Sequence, residues 1–493
     1  MARFARRGPV TPRRVAVIGA TGYVGGRLID RLVADGVSVT ALARTPEKLA
    51  ERERASAGLL TVKRADVQER ESLAPALEGC EVAYYLVHSL AGGASFMEDD
   101  NRGARNFADA CATAGVARII YLSGLGADDG ELSEHLSSRH ATGDALREGG
   151  VPVTELRAAI IVGSGSASFE IIRDLSRKLP VMITPRWVRS RCEPIGIRDV
   201  ISYLLAVIDE PRSVGQTLEI GCGETLSYAD LMKICAREQG RRCWILTVPV
   251  LTPRLSSYWL HLVTSVDMSI ARPLIEGLRN DVVTRDQRIR EWTGIEPEPY
   301  RAAVRRALER ERSRTHRESR WTDASLPTRV RAATPRFGRV RPSLDAFVDR
   351  RSFETDLDRG ELYRRISRIG GEFGYGRTAG FLWKIRGLID RIGGGPGLRR
   401  GRPFGEELRK GDVVDFWRVI EAQPGARLEL VAEMRVPGEA RLRWDIESGA
   451  EGSTLVQTAT LTNDSLLSGL YWYSIAPAHN WVFNRMARHL LSD

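Results

Sequence analysis

The sequence predicts an α/β protein in two parts: a doubly wound parallel sheet, then a C-terminal α+β domain. Three observations carry this. Short apolar runs alternate with helical patterns through the first third of the chain, the signature of βαβ units. A glycine-rich turn, Gly19-Ala20-Thr21-Gly22-Tyr23-Val24-Gly25, separates the first apolar run from an amphipathic stretch. The last third changes character, to a helix, alternating strands and a long closing helix.

The elements follow in order. Residues 14–18 read as the first strand. Residues 22–34 form a helix with Val24, Leu28 and Leu32 on one face, closed by Gly36. Residues 37–42, 59–63 and 81–87 are the next three strands, the last of them buried. A helix over 101–115 leads to a fifth strand at 117–123. A helix over 133–148, ended by Gly149-Gly150, leads to a sixth at 154–162. Right-handed crossovers would make these one sheet. Residues 164–308, with a strand at 217–220 and a helix at 228–238, read as a substrate-side lobe after a core of 13–163. Residues 309–344 are Arg-rich and punctuated by proline, which suggests a linker. In the domain at 345–493, a helix at 359–369 precedes a Gly-rich basic region, 370–405. Strands at 413–422, 427–436, 440–446 and 454–462 follow, then a helix over 466–491.

The glycine turn sits where a dinucleotide motif needs it, after a strand and at the opening of a helix. Gly19 permits the tight turn, Gly22 lets backbone approach a pyrophosphate, and Gly25 lets helix and strand pack closely. Free N–H groups and the positive dipole end of the helix then face the phosphates. Ala20, Thr21, Tyr23 and Val24 complete this loop of a Rossmann domain. The second strand ends at Ala43-Arg44, with no acid until Glu47. A guanidinium there suits a 2′-phosphate and gives the NAD ribose no acceptor, so NADP (NADPH) is expected ahead of NAD. Asp66 and Val67 are placed against the adenine, with a plain turn aspartate as the alternative. Leu86, Val87 and His88 close the fourth strand beside the nicotinamide ribose; His88 is otherwise a loop residue contributing backbone alone.

These residues resemble the atypical (NmrA-like) branch of the short-chain dehydrogenase/reductase superfamily. The resemblance spans about 14–308 and includes Tyr121-Leu122-Ser123-Gly124, Gly150-Val151-Pro152-Val153-Thr154-Glu155-Leu156-Arg157 and Pro194-Ile195-Gly196-Ile197-Arg198-Asp199-Val200. It implies that Ser123 polarises a substrate carbonyl. The superfamily's Tyr and Lys, four residues apart, are missing, and His135 and Arg139 stand in their places. His135 is the substitute acid that this implies, against a surface helix residue. Arg139 stays protonated and cannot share such a relay. Two functions follow from the resemblance: an oxidoreductase acting on an apolar carbonyl or quinone-like compound, or a non-catalytic NADP(H) sensor or assembly protein. The second class includes NmrA-like regulators and the Rossmann accessory subunit of mitochondrial complex I.

The tail resembles a START-like helix-grip domain found fused to this Rossmann domain in a bacterial family, on Leu470-Tyr471-Trp472-Tyr473 and the closing helix. This implies a cup for a hydrophobic small-molecule ligand. Leu428, Leu430 and Ala432 would line it, Trp417 and Trp444 adding wall; a filled core is the alternative. Pro477 would kink or divide the closing helix.

Composition narrows the rest. At 493 residues the chain exceeds one core. The net charge of +10 owes much to 301–351, which holds 15 arginines against six acids. No aromatic interleaving or nucleic-acid module accompanies them, so nucleic acid is not the expected partner. The six cysteines lack CxxC or Cys/His spacing, which suggests reduced thiols in the cytoplasm and no metal site. Residues 1–14 are basic without an apolar core, unlike a secretory signal. The most apolar stretch, 245–266, is broken by Pro249, Pro253, Arg254 and His261, too interrupted to span a bilayer. A peripheral membrane contact and the oligomeric state stay open.

Overall fold

The alternation of the first third becomes a parallel sheet in the computed structural model of the chain. The structure describes residues 14–87, 96–126, 133–247, 277, 280–313, 319–323, 346–371, 373, 375, 380–392, 395–403, 407–449, 452–462 and 466–492. They fall into two units, one between 14 and 323 and one between 346 and 492.

The first unit contains β1 (Arg14–Ile18), β2 (Ser38–Ala43), β3 (Leu60–Arg64), β4 (Val82–Tyr85), β5 (Arg118–Gly124) and β6 (Val153–Ala158). Then come β7 (Ile161–Val162), β8 (Val181–Thr184), β9 (Arg191–Cys192), β10 (Ile195–Gly196), β11 (Thr217–Ile220), β12 (Leu226–Ser227) and β13 (Trp244–Thr247). Seven strands make one sheet in the order β11-β6-β5-β4-β1-β2-β3, and every pair in it is parallel. The order reverses between β1 and β4, which is where such sheets open a crevice for ligands. The helices are α1 (Tyr23–Ala34), α2 (Ala50–Ala55), α3 (Ala74–Leu77), α4 (Phe96–Thr113), α5 (Glu134–Arg147), α6 (Ala167–Lys178), α7 (Ile197–Ala206), α8 (Tyr228–Glu238), α9 (Arg288–Thr293) and α10 (Tyr300–Ser313).

Residues of β1 alternate between two cores, as a doubly covered sheet requires. Val15 and Val17 pack with Leu28, Ile29 and Leu32 of α1 and Val200 and Leu204 of α7. Ala16 and Ile18 pack with Phe107, Ala108 and Cys111 of α4.

Several boundaries differ from the sequence reading. The sixth strand ends at Ala158, and Ile161–Val162 pairs instead with β10. The reason is a change of partner: Ala158 O still accepts from Leu125 N, whereas Ile160 O accepts from Ile195 N. The strand at 217–220 belongs to the main sheet rather than to a separate lobe, because Leu218 and Ile220 bury against β6. The assignment of 309–344 to a linker needs correction at two places. Helix α10 runs on to Ser313, held where Arg173 bonds Glu311, and residues 319–323 pack on the first unit. The arginines of α10 spend charge within the unit, Arg305 on Glu238 at 3.1 Å and Arg306 on Glu298 at 2.8 Å.

The second unit contains β14 (Ala346–Thr355), β15 (Val413–Val414), β16 (Trp417–Gln423), β17 (Arg427–Ala432), β18 (Ala440–Ser448) and β19 (Ser453–Thr462), with α11 (Arg359–Ser367), α12 (Gly380–Ile392) and α13 (Leu466–Ser492). Its antiparallel sheet runs β14-β19-β18-β17-β16-β15. Two of these elements escape the sequence reading. In β14 the inward positions include Asp349 and Arg351, a pair at 2.5 Å joined by His479 at 3.1 Å, so its alternation is not apolar. In α12 the apolar residues Phe381, Ile385, Leu388 and Ile389 face solvent, and glycines flank the helix.

The side chains expected to wall a cup pack on one another. Trp417, Leu428, Leu430 and Trp444 join Trp383, Phe416, Phe483 and Met486 in one core, with ring centroids of Phe416 and Trp417 at 5.0 Å. The Trp444 indole N–H donates to Gln457 at 2.9 Å. This packing favours the filled core. Pro477 lies inside α13, which continues through it as one helix. Among the described residues no helix is long and apolar enough to cross a membrane.

Trp444 is fully buried, so Trp444→Ala should destabilise the second unit by about 3–5 kcal/mol, the usual cost of such a cavity. Thermal denaturation of the full chain, followed by near-UV circular dichroism, checks this.

Candidate functional site

The site begins with an unusual helix start. Gly22 caps α1 without any side-chain hydrogen bond, and no acid occupies the first turn. The first turn of α1 is therefore not capped by its own side chains. Gly22 N donates to Gly19 O at 2.9 Å and closes the turn. Gly19 holds φ at +85°, and a Cβ there would meet Leu86 O at 2.5 Å. A Cβ on Gly25 would lie 2.3 Å from Gly19 O. Gly25 thus makes room for the loop's own carbonyl, a role different from the helix–strand packing expected of it. A helix N-terminus without a side-chain cap, its positive dipole end and a cradle closed to side chains together suit an anionic diphosphate.

A cavity of about 470 Å³ opens from this loop. Gly19, Thr21, Gly22, Tyr23, Val24, Gly25, Arg44, Asp66, Val67, Leu86, Val87, Ser123, His135 and Arg139 all line it. Ala20 does not: its side chain is fully buried in the core beneath the loop. His88 lies outside the described residues. Leu86 and Val87 reach the cavity because β4 stops at Tyr85. Asp66 also makes the local turn, its Oδ1 accepting from Gln68 N at 3.2 Å.

Ser123, near the end of β5, is 2% exposed, and its Oγ has no hydrogen-bond partner among the described residues. An unsatisfied buried hydroxyl at a cavity wall is costly unless a ligand completes it. Arg139 is committed elsewhere. Its Nη2 donates to Leu122 O at 2.5 Å, and its own carbonyl accepts from the Tyr121 hydroxyl at 3.0 Å. The guanidinium therefore clamps the end of β5. His135 is half-buried on the first turn of α5, whose N-cap is Ser133.

The far side of the cavity was not legible in the motifs. It is formed by Ile160 and Ile161, by Ile171, Ile172 and Leu175 of α6, by Tyr228 and Met232 of α8, and by Val282 and Trp321. These apolar residues sit in ordinary helical and loop patterns, and Trp321 sits in what reads as linker.

Comparison with known proteins decides what the loop belongs to. Residues 19–174 match the family described as NAD(P)H-binding. The first unit thus contains a segment similar to NAD(P)H-binding domains. Residues 345–486 match a separate family, described as a protein of unknown function (DUF2867). Among curated relatives, cinnamoyl-CoA reductase 1 of Oryza sativa subsp. japonica is 31% identical over 118 residues, 23% of this chain and 35% of that enzyme. Ceramide reductase of Caulobacter vibrioides is 26% identical over 239 residues, 48% of this chain and 73% of that enzyme. The 40 kDa subunit of Neurospora crassa NADH-ubiquinone oxidoreductase is 22% identical over 236 residues, 47% of this chain and 62% of that subunit. The chain thus spans 35% of the first of these relatives' length and 62% of the third's. Among solved structures, the Citrobacter sp. triphenylmethane reductase complexed with NADP(H) superposes with a TM-score of 0.48 at 19% identity, covering 60% of this chain and all (100%) of that one. The Escherichia coli NADPH-dependent quinone oxidoreductase complexed with NADPH gives 0.48 and 19%, covering 59% and 98%.

Gly25→Ala should push the loop off its helix and weaken NADPH binding at least tenfold, about 1.4 kcal/mol. Isothermal titration calorimetry of the variant reads this directly.

Proposed function

We propose that the NAD(P)H-binding domain is an NADPH-dependent reductase of an uncharged, apolar carbonyl or quinone-like compound. One observation carries the reading: the side of the cavity beyond the loop, Ser123 and α5 has no charged side chain among the described residues that line it. A nucleotide sugar, with its diphosphate, would find no basic partner there, and burying that charge unpaired is prohibitive. An apolar substrate loses nothing by entering.

Gly19, Gly22 and the α1 amides would hold the pyrophosphate, and Arg44 the 2′-phosphate. The nucleotide, when bound, supplies a hydride. Ser123 donates a hydrogen bond to the substrate oxygen, which is where negative charge gathers as the carbonyl is reduced. His135, on the same cavity, delivers the proton. Arg139 fixes the strand end that carries Ser123 and moves no proton.

The clamped Arg139 also favours a second reading. With no Tyr/Lys pair, the domain would bind NADP(H) without turnover and act as a redox sensor or assembly protein. The Neurospora relative is a subunit of a larger oxidoreductase.

NADPH should bind at least tenfold more tightly than NADH, about 1.4 kcal/mol, and Arg44→Ala should erase the difference. Equal titration curves for the wild type would remove the 2′-phosphate role. In the reductase reading, Ser123→Ala lowers quinone turnover at least tenfold while leaving the NADPH affinity in place. A wild type that binds NADPH and turns over neither quinones nor apolar aldehydes would leave the sensor reading standing.

A further inference from the structure

Residues 319–323 lie outside the Rossmann pattern, yet five contacts bolt them to it. Ser319 O accepts from Arg27 Nη1, and Ser319 Oγ accepts from Arg52 Nη2 at 3.1 Å. Trp321 N donates to Gly165 O at 2.9 Å. The Trp321 indole N–H donates to Glu170 Oε2 at 2.8 Å, and Arg320 pairs with the other carboxylate oxygen at 3.4 Å. Two glycines make the approach possible. A Cβ on Gly26 would lie 2.0 Å from Ser319 Oγ, and one on Gly165, at φ +79°, would lie 3.1 Å from Arg320 Cγ.

The clasp also touches the cofactor helix. Arg27 holds Ser164 O at 2.8 Å with its second Nη, and its guanidinium lies 4.2 Å over the Tyr23 ring. Tyr23 is itself a cavity residue, as is Trp321.

We propose that Trp321 is a wall of the substrate site, and that the ligand it faces is a flat, uncharged ring. This rests on the reading that the apolar side of the cavity receives the substrate. The indole is pinned at both ends, by its backbone N–H and by Nε1–H on Glu170, a carboxylate only 2% exposed. A ring already fixed in place loses little freedom when a second ring stacks on it. Its face is a large apolar surface with a preference for offset aromatic partners. Ile171, Ile172, Leu175, Met232 and Val282 line the same cavity and offer a polar ligand no replacement for its water. Glu170 is a positioning residue here: it orients the indole and does not line the cavity among the described residues.

The test measures binding without turnover. Equilibrium dialysis of 1-naphthol against the full-length protein saturated with NADP+ should show binding in the wild type. Trp321→Ala should bind at least tenfold more weakly, with its NADP+ affinity within twofold of wild type. Trp321→Phe, which keeps a flat face, should recover most of the naphthol affinity. Should Trp321→Ala lower the melting temperature, Trp321→Leu is read in its place, with the same expected loss. Naphthol affinity unchanged in the alanine or leucine variant overturns the proposal, as does a wild type that binds no naphthol. Quinone turnover is measured separately: naphthol binding that depends on Trp321, in a protein that reduces no quinone, keeps the wall and sinks the reductase.

Discussion

The start of α1 has neither a capping side-chain hydrogen bond nor an acid in its first turn, and the loop before it is built around that helix terminus. Gly22 supplies the extended backbone that starts the helix, Gly19 turns back with a positive φ, and Gly25 lets the Gly19 carbonyl sit against the helix. The same loop rests on the Leu86 carbonyl, so its position depends on β4 ending where it does. That end lies at the reversal of strand order, where β1 has β2 on one side and β4 on the other. A helix terminus, a strand end and a change of winding direction thus meet at one place, and an anion is what their partial charges favour.

The two halves of the cavity are built by different rules. The nucleotide side uses backbone and a few charged or polar groups, which act over short distances and demand exact placement. The opposite side uses α6 and α8, and a buried charge network ties α6 to α10. Asp174, buried on α6, accepts from Arg173 at 2.8 Å and lies 3.3 Å from Lys178 Nζ; these cations hold its carboxyl below the ordinary range against the pull of burial. Arg173 also bonds Glu311 of α10. The chain spends ionic interactions on positioning the helices and leaves their cavity faces apolar.

What the sequence reveals follows the same division. The loop, β1 and the second strand's Arg44 were legible because the phosphate site needs particular residues at fixed spacing. Ser123 was legible through its resemblance, and the structure shows it buried and unsatisfied at the cavity wall. The apolar side was not, because Ile172 or Met232 looks like any core residue until the fold brings them together. In the second unit, β14 escaped because Asp349 and Arg351 occupy inward positions and satisfy each other. Helix α12 escaped for the opposite reason, its apolar residues facing outward.

The docking of Ser319 and Trp321 bears on how the chain can be divided. A cut at the apparent end of the α/β region, near 308, would remove the last turn of α10 and the indole together. It would take from Glu170 both the Trp321 indole and the Arg320 guanidinium, and leave Gly26 without the Ser319 hydroxyl it accommodates. The natural seam between the halves falls after residue 323, and a shortened first half that loses its ligand would report the missing tryptophan rather than a broken nucleotide fold.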